Sequence, residues 1–242
     1  MNPLVLHHHL GMGDHIICNG MVRSLLNGGK FYTDVYVFAK ERNFNRVVRM
    51  FDDDPRIHVI PIPSNQNEIH FVNEFVLKNS VMNFMRCGFG AVDNLQLMGL
   101  AKEFDEALYL SAGLPYEKRW SEFRLRRDSV EEGRVLRKLN PTNEKYMFVH
   151  DNPSIGCVFT PDNPNGLKII KNDPTEDIFD MTMLLENASE IHCMESSFRC
   201  LIEHLPRVTC PLFLHSGVRT DGHGETIVSG VRKEWNVVCL TA

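Results

Sequence analysis

The feature that most narrows the fold of this chain is a strand–helix rhythm that runs through its first part, breaks, and starts again after Asn140-Pro141. Leu4-Val5-Leu6-His7-His8 is a short apolar run that extends as a strand and ends in the turn Leu10-Gly11-Met12-Gly13-Asp14. Ile16, Ile17, Met21, Val22, Leu25 and Leu26 then recur at helical spacing until Asn27-Gly28-Gly29 stops the helix. Val35 to Phe38 and Ile57 to Ile62 predict two further strands, with the helical face Phe44, Val47, Val48 and Phe51 between them. Val81 to Met85 is the candidate fourth strand. Strands separated by helices predict parallel sheets covered on both faces, the α/β class.

After the break the pattern repeats in kind. Tyr146 to His150, Leu167 to Ile170, Glu190 to Met194 and Pro211 to His215 read as strands, and Ile178 to Leu185 and Phe198 to Leu205 as helices. Between the two halves, residues 115–138 hold eight Lys or Arg against five Asp or Glu, although the whole chain of 242 residues carries a net charge of −5. Asp128 to Leu139 within it looks like a charged surface helix. The expected organisation is an N-terminal α/β domain at 1–113, a linker at 114–140 and a C-terminal α/β domain at 141–242. The net negative charge argues against nucleic acid as the main partner. No apolar run approaches the ~20 residues that span a bilayer, and the N-terminus lacks the marks of a secretory signal. Seven cysteines in irregular spacing without a CxxC pair predict reduced thiols and a cytoplasmic protein.

Three junctions carry residues suited to chemistry. Gly11-Met12-Gly13-Asp14-His15-Ile16 lies between a strand and a helix, where free N–H groups attract anions and glycines admit a close ligand. It is half of a dinucleotide fingerprint, but Ile16 occupies the third glycine position and no acid follows the second strand, which speaks against nicotinamide or flavin. Asp14 is suited either to cap the helix or to act as a general base at the carboxyl edge of a sheet. Glu195-Ser196-Ser197 opens a second helix, as a plain cap or as a phosphate site. His150-Asp151 ends a strand, and Lys168 and Lys171 on a neighbouring strand offer positive charge to a diphosphate. The run His7-His8-His9 alternates faces and lacks a completing carboxylate, so packed or pocket-lining histidines are expected rather than metal ligands. Asp52-Asp53-Asp54 precedes Pro55 in a turn on the edge away from these junctions, so no metal site is expected there.

The Gly-x-Gly-Asp turn resembles glycosyltransferase family 9, the heptosyltransferases and their relatives, in which a strand, Ser/Gly-x-Gly-Asp and an apolar helix follow one another as His9 to Ile17 do here. The segment Ala188 to Ser197 resembles the donor-phosphate segment of that family, with Glu195 in place of its acid, Ser196 matching its hydroxyl and Ser197 replacing its glycine. The resemblance is detailed over about 20 residues. It implies a compact GT-B-like fold, with two Rossmann-like parallel-sheet domains facing each other, and a role in polysaccharide biosynthesis. By resemblance Asp14 is the catalytic base of a metal-independent, inverting transfer. Gly13, His150, Asp151, Lys168, Glu195, Ser196, Ser197 and His215 would bind the donor, a nucleotide-diphosphate sugar; His9 and His15 would meet the hydroxyl acceptor, a glycan or glycoconjugate. No cofactor is expected. A sugar-nucleotide epimerase or hydrolase of the same fold, and a non-catalytic nucleotide- or glycan-binding protein, are the alternatives.

Overall fold

The computed structural model describes residues 2–28, 32–153, 156–217 and 230–239, and the chain divides into two compact units, Met1–Arg126 and Arg127–Ala242. The first contains β1 (Leu4–His7), α1 (Met12–Asn27), β2 (Val35–Lys40), α2 (Phe44–Phe51), β3 (Ile57–Ile62), α3 (Glu68–Lys78), β4 (Asn83–Arg86), α4 (Gly90–Leu97), α5 (Phe104–Ser111) and α6 (Lys118–Ser121). Its four strands are all parallel, in the order β3-β2-β1-β4. Every residue of β1 is buried, as a central parallel strand requires. On one face Val5, Phe38, Ile62 and Val72 form a core, against which Phe71, Phe75 and Val76 of α3 pack.

α1 is buried along nearly its whole length, from His15 to Leu26. α6 approaches it so closely that a Cβ on Gly20 would lie 2.2 Å from the Lys118 carbonyl oxygen. Tyr109 of α5 donates to the Ile17 carbonyl at 2.8 Å. Two fully buried charges, Asp105 and Arg119, pair with each other, and the Arg119 guanidinium lies 4.2 Å over the Trp120 ring. The Arg124 backbone is tied back to Asn19 on α1, its N–H donating to Oδ1 at 2.9 Å and its carbonyl accepting from Nδ2 at 3.1 Å. Residues 114–126, read from the sequence as linker, are therefore integral to the first unit. The second part of that stretch belongs to the second unit as α7 (Ser129–Leu139), capped by Asp128, whose carboxylate accepts from the Val130 and Glu131 amides.

The second unit continues with β5 (Tyr146–His150), β6 (Lys168–Lys171), α8 (Thr182–Glu186), β7 (Glu190–Cys193), α9 (Ser197–Ile202), β8 (Leu212–Ser216) and β9 (Asn236–Cys239). Its sheet is parallel throughout, in the order β6-β5-β7-β8-β9. Arg127 binds Glu132 of α7 and Glu186 of α8, and Arg134 and Lys138 converge on Glu176, so the positive stretch is neutralised by carboxylates of the second unit. The described cysteines form no disulfide. No helix among the described residues is long and apolar enough to cross a membrane.

The α1–α6 contact gives a direct test. Gly20→Ala pushes a methyl into backbone, so it should lower the stability of the first unit by about 1–3 kcal/mol. A urea titration should show the first unit unfolding earlier while probes in the second are unmoved; an unchanged midpoint would refute the close packing.

Candidate active site

In a parallel sheet every strand ends on the same edge, and ligands sit where successive connections leave to opposite sides. In the first unit that point lies between β1 and β4; in the second it lies between β5 and β7. The residues singled out from the sequence fall largely at these two places.

At the first, α1 begins directly after β1. The Asp14 carboxylate folds back over the first turn and accepts from the Gly11 N–H at 3.1 Å. Gly11 has an ordinary extended backbone, φ −69° and ψ 152°, so its glycine is not needed for the turn. It is needed for space, because a Cβ there would lie 2.5 Å from Asp14 Oδ2. The Gly-x-Gly-Asp pattern thus fixes a carboxylate at the carboxyl edge of the sheet. Gly13 lies one residue before it, half-buried in the first turn of α1.

The histidines around this edge divide by environment. His9 lies beyond β1, stacked on Phe89 with ring centroids 4.4 Å apart, and its Nε2 accepts from the Phe89 N–H at 2.9 Å. That bond places the His9 proton on Nδ1, which makes no hydrogen bond among the described residues. His15 is different from what its place in the motif suggested. It is 1% exposed, packs edge-on against His8 and has no partner for either ring nitrogen among the described residues. It serves the core and is sealed from an acceptor. Burial drives its pKa well below the usual value and brings His8 down to about 4. His7, desolvated and beside Arg86, falls to about 3.

At the second switch point, His150 ends β5 and is bridged to Asn172, Nδ1 to Oδ1, at 2.9 Å. Its ring packs on Phe198 of α9 at 4.4 Å. Asp151 is buried and paired with Lys171 at 2.5 Å. Ser196 has the extended backbone of an N-cap but makes no capping hydrogen bond, and its hydroxyl is buried without a partner among the described residues. Ser197 follows as the first residue of α9. Glu195 pairs at 2.6 Å with Arg199, which is fully buried. That carboxylate, just before α9, is committed to an ion pair with an arginine of the helix.

Two expected donor residues stand elsewhere. Lys168 opens β6 opposite Tyr146, at the amino edge of the sheet, and its ammonium reaches Asn140 and Glu144. Lys171, three residues on, is the lysine the strand carries to the carboxyl edge. His215 ends up inside, 4% exposed, stacked on Phe159 at 4.0 Å and bridged to His192 at 3.0 Å. The acidic triplet is consumed by arginines: Asp52 by Arg126, Asp53 by Arg23, Asp54 by Arg56. No three His, Cys, Asp or Glu side chains among the described residues gather as a metal site would require. The sequence did not single out Asn172 or Phe89, because each matters through contacts across the sheet edge.

Solved structures share this fold. The family 9 glycosyltransferase of Veillonella parvula superposes over 99% of this chain and 86% of its own, with TM-score 0.54 and 7% identity. The ADP-heptose lipopolysaccharide heptosyltransferase II of E. coli covers 98% of this chain and 90% of its own, with TM-score 0.52 and 10% identity. The iron-containing dodecameric glycosyltransferase TibC of enterotoxigenic E. coli matches 89% of this chain but 58% of its own, with TM-score 0.52 and 12% identity. The resemblance seen at the Gly-x-Gly-Asp turn therefore extends through the architecture: the chain has the two-sheet α/β fold of the heptosyltransferases. Neither a family model nor a curated protein sequence matches it.

The buried histidines make stability depend on pH. His8 and His215 have folded-state pKa values of about 4 against the usual 6.5, so the unfolded chain takes up protons first. Their contribution is intact above about pH 6.5 and is lost as pH falls toward 4. Urea midpoints should decline over that window, and His215→Gln should flatten the decline in the second unit; an unaltered slope would contradict a neutral buried His215.

Proposed function

We propose that the chain is a glycosyltransferase that moves a sugar from a nucleotide-diphosphate donor to a hydroxyl of a glycan or glycoconjugate, with inversion. The observation that carries this reading is Asp14, a carboxylate held by the Gly11 amide at the carboxyl edge of β1, beside a sheet switch point. The shared fold supports it, and TibC, one of the structures of that fold, is described in complex with ADP-D-β-D-heptose.

In the proposed reaction the acceptor binds the first unit, with His9 Nδ1 available to a sugar oxygen. Asp14 takes the proton of the attacking hydroxyl as its oxygen bonds to the anomeric carbon. The bond from that carbon to the phosphate oxygen breaks, and the nucleoside diphosphate leaves with the electron pair. The donor binds the second unit at the β5/β7 switch point. There the Ser196 and Ser197 hydroxyls and Lys171 meet the diphosphate charge. His150 takes part as a neutral ring, since burial lowers its pKa. None of these steps calls on a divalent cation.

Asp14→Asn keeps a capping oxygen, so the fold should hold while turnover falls by about 10²–10⁴-fold, with nucleotide affinity unchanged. Undiminished turnover would remove Asp14 from the mechanism. Product analysis separates the other classes: a new nucleotide sugar formed without acceptor marks an epimerase, free sugar a hydrolase, and binding without any turnover a non-catalytic protein.

A further inference from the structure

The Gly88-Phe89 turn breaks the ladder between β1 and β4 in a particular way. Register pairs His7 with Arg86, and the Cys87 N–H donates to the His7 carbonyl at 2.8 Å, one residue past the end of β4. Bonds of a parallel ladder recur evenly, every second residue. The next would run from the Phe89 N–H to the His9 carbonyl. Imidazole rings use both groups instead. His8 Nδ1 donates to the His9 carbonyl at 2.6 Å, and the Phe89 N–H donates to His9 Nε2 at 2.9 Å.

The turn is strained and crowded around the His9 ring. Gly88 has φ +93°, and a Cβ there would lie 2.5 Å from His9 Cδ2, 2.7 Å from its Nε2 and 3.0 Å from Leu108 Cδ2. Phe89 is held at φ 54° and ψ −144°, a conformation that glycine adopts freely and phenylalanine only with strain. The chain carries a ring there all the same, and that ring stacks on His9 with centroids 4.4 Å apart and an interplanar angle of 26°. Phe104, the first residue of α5, adds a second ring contact to His9 at 5.4 Å.

The chemical consequence lies in the tautomer. A backbone N–H can only donate, so the Nε2 it meets holds a lone pair and the neutral ring carries its proton on Nδ1. An unconstrained neutral histidine exchanges its proton between the two nitrogens; here only donation from Nδ1 is left. Nδ1 makes no hydrogen bond among the described residues, and His9 follows β1 at the carboxyl edge that also holds Asp14. We infer that the Gly88-Phe89 turn is a positioning element of the reaction, holding His9 as a one-way donor to an uncharged acceptor oxygen. His9 would by residue type compete as a base, but at Nδ1 it has no lone pair to offer, so proton removal falls to Asp14 alone. The inference deepens the transferase reading and rests on it for the acceptor; the fixed tautomer does not depend on it.

The test is NMR of the full-length chain with ¹⁵N-labelled histidine at pH 8, where an ordinary imidazole is neutral. The His9 signals are assigned by their loss in His9→Ala. Nε2 should resonate as an unprotonated nitrogen and Nδ1 as a protonated one. Gly88→Ala, which drives a methyl into the ring, should mix the tautomers, whereas Phe89→Gly, which keeps the N–H and relieves the backbone, should preserve the Nδ1–H form. The probes for the acceptor side are methyl β-D-glucoside, methyl β-D-galactoside and methyl α-D-mannoside. At least one should bind saturably and move the His9 Nδ1 signal. Its affinity should fall about 2–10-fold in Gly88→Ala and in His9→Ala, the range of one neutral hydrogen bond, with nucleoside diphosphate binding by the second unit unchanged. His9→Asn, whose side-chain NH₂ stands near the place of Nδ1, should keep part of that affinity. An Nε2–H or mixed tautomer in the wild-type chain, three glycosides that leave His9 unmoved, or full affinity in His9→Ala would each overturn the inference. The first two readouts need no variant, so they stand even if Gly88→Ala fails to fold. Glycoside binding on a fixed tautomer, without binding of any nucleoside diphosphate, would sink the transferase reading and leave the role of the turn; turnover of a nucleotide sugar with a freely exchanging His9 would do the reverse.

Discussion

A parallel sheet has to return its chain across a face after every strand, and this constraint organises the whole molecule. It brings the carboxyl ends of all strands in a unit to one edge, and the change of direction in strand order opens a crevice there. At that edge the first unit places Asp14 and His9, and the second places His150, Asp151, Lys171 and Ser196. Each set draws on separate stretches of sequence that strand order and register bring to one edge. Lys168, three residues before Lys171, lies at the opposite, amino edge of the second sheet.

Within that frame the glycines at the first turn act through volume. Gly11 has an unremarkable backbone, and its missing Cβ is what lets the Asp14 carboxylate reach the helix's first amide. The same logic holds at Gly20, where the missing side chain admits α6 against α1, and at Gly88, where a Cβ would lie 2.5 Å from the His9 ring. The charges follow a second rule. The buried arginines Arg23, Arg119 and Arg199 are neutralised by carboxylates, which offsets the cost of their desolvation. Arg86 is held by neutral partners, His7 and Asn73.

Much of the architecture was legible in the sequence because apolar periodicity reports burial directly. β1, β2, β3 and the long α1 lie where hydrophobic spacing puts them, and α7 lies where Asp128 to Leu139 reads as a charged surface helix. α3 was missed although Asn67 caps it, since only Val72 of its residues is fully buried and its pattern is faint. β9 was missed because it is an edge strand with mostly exposed residues. The linker reading failed for a physical reason: the positive charges of 115–138 suggested solvent, but their carboxylate partners lie far off in sequence, as Arg126 with Asp52 and Arg134 with Glu176 show. For the site, the motif located Asp14 and the strand ends located His150 and Ser196. Whether a histidine faces a crevice or the core is decided by tertiary packing, so His15 and His215 were not readable, and neither was the Arg86–His7 bond across two strands.

The central claim is that a nucleotide sugar binds the second unit at the β5/β7 switch point while the chemistry resides in the first. The most direct measurement is backbone amide NMR of the chain titrated with UDP, GDP, CDP, dTDP and ADP in turn. The account predicts saturable binding of at least one of them, with the largest shifts at residues 150–152 and 195–198 and little change around Gly11 to Asp14. Binding confined to the Gly11–Asp14 turn, or no binding by any of the five to the folded chain, would contradict it.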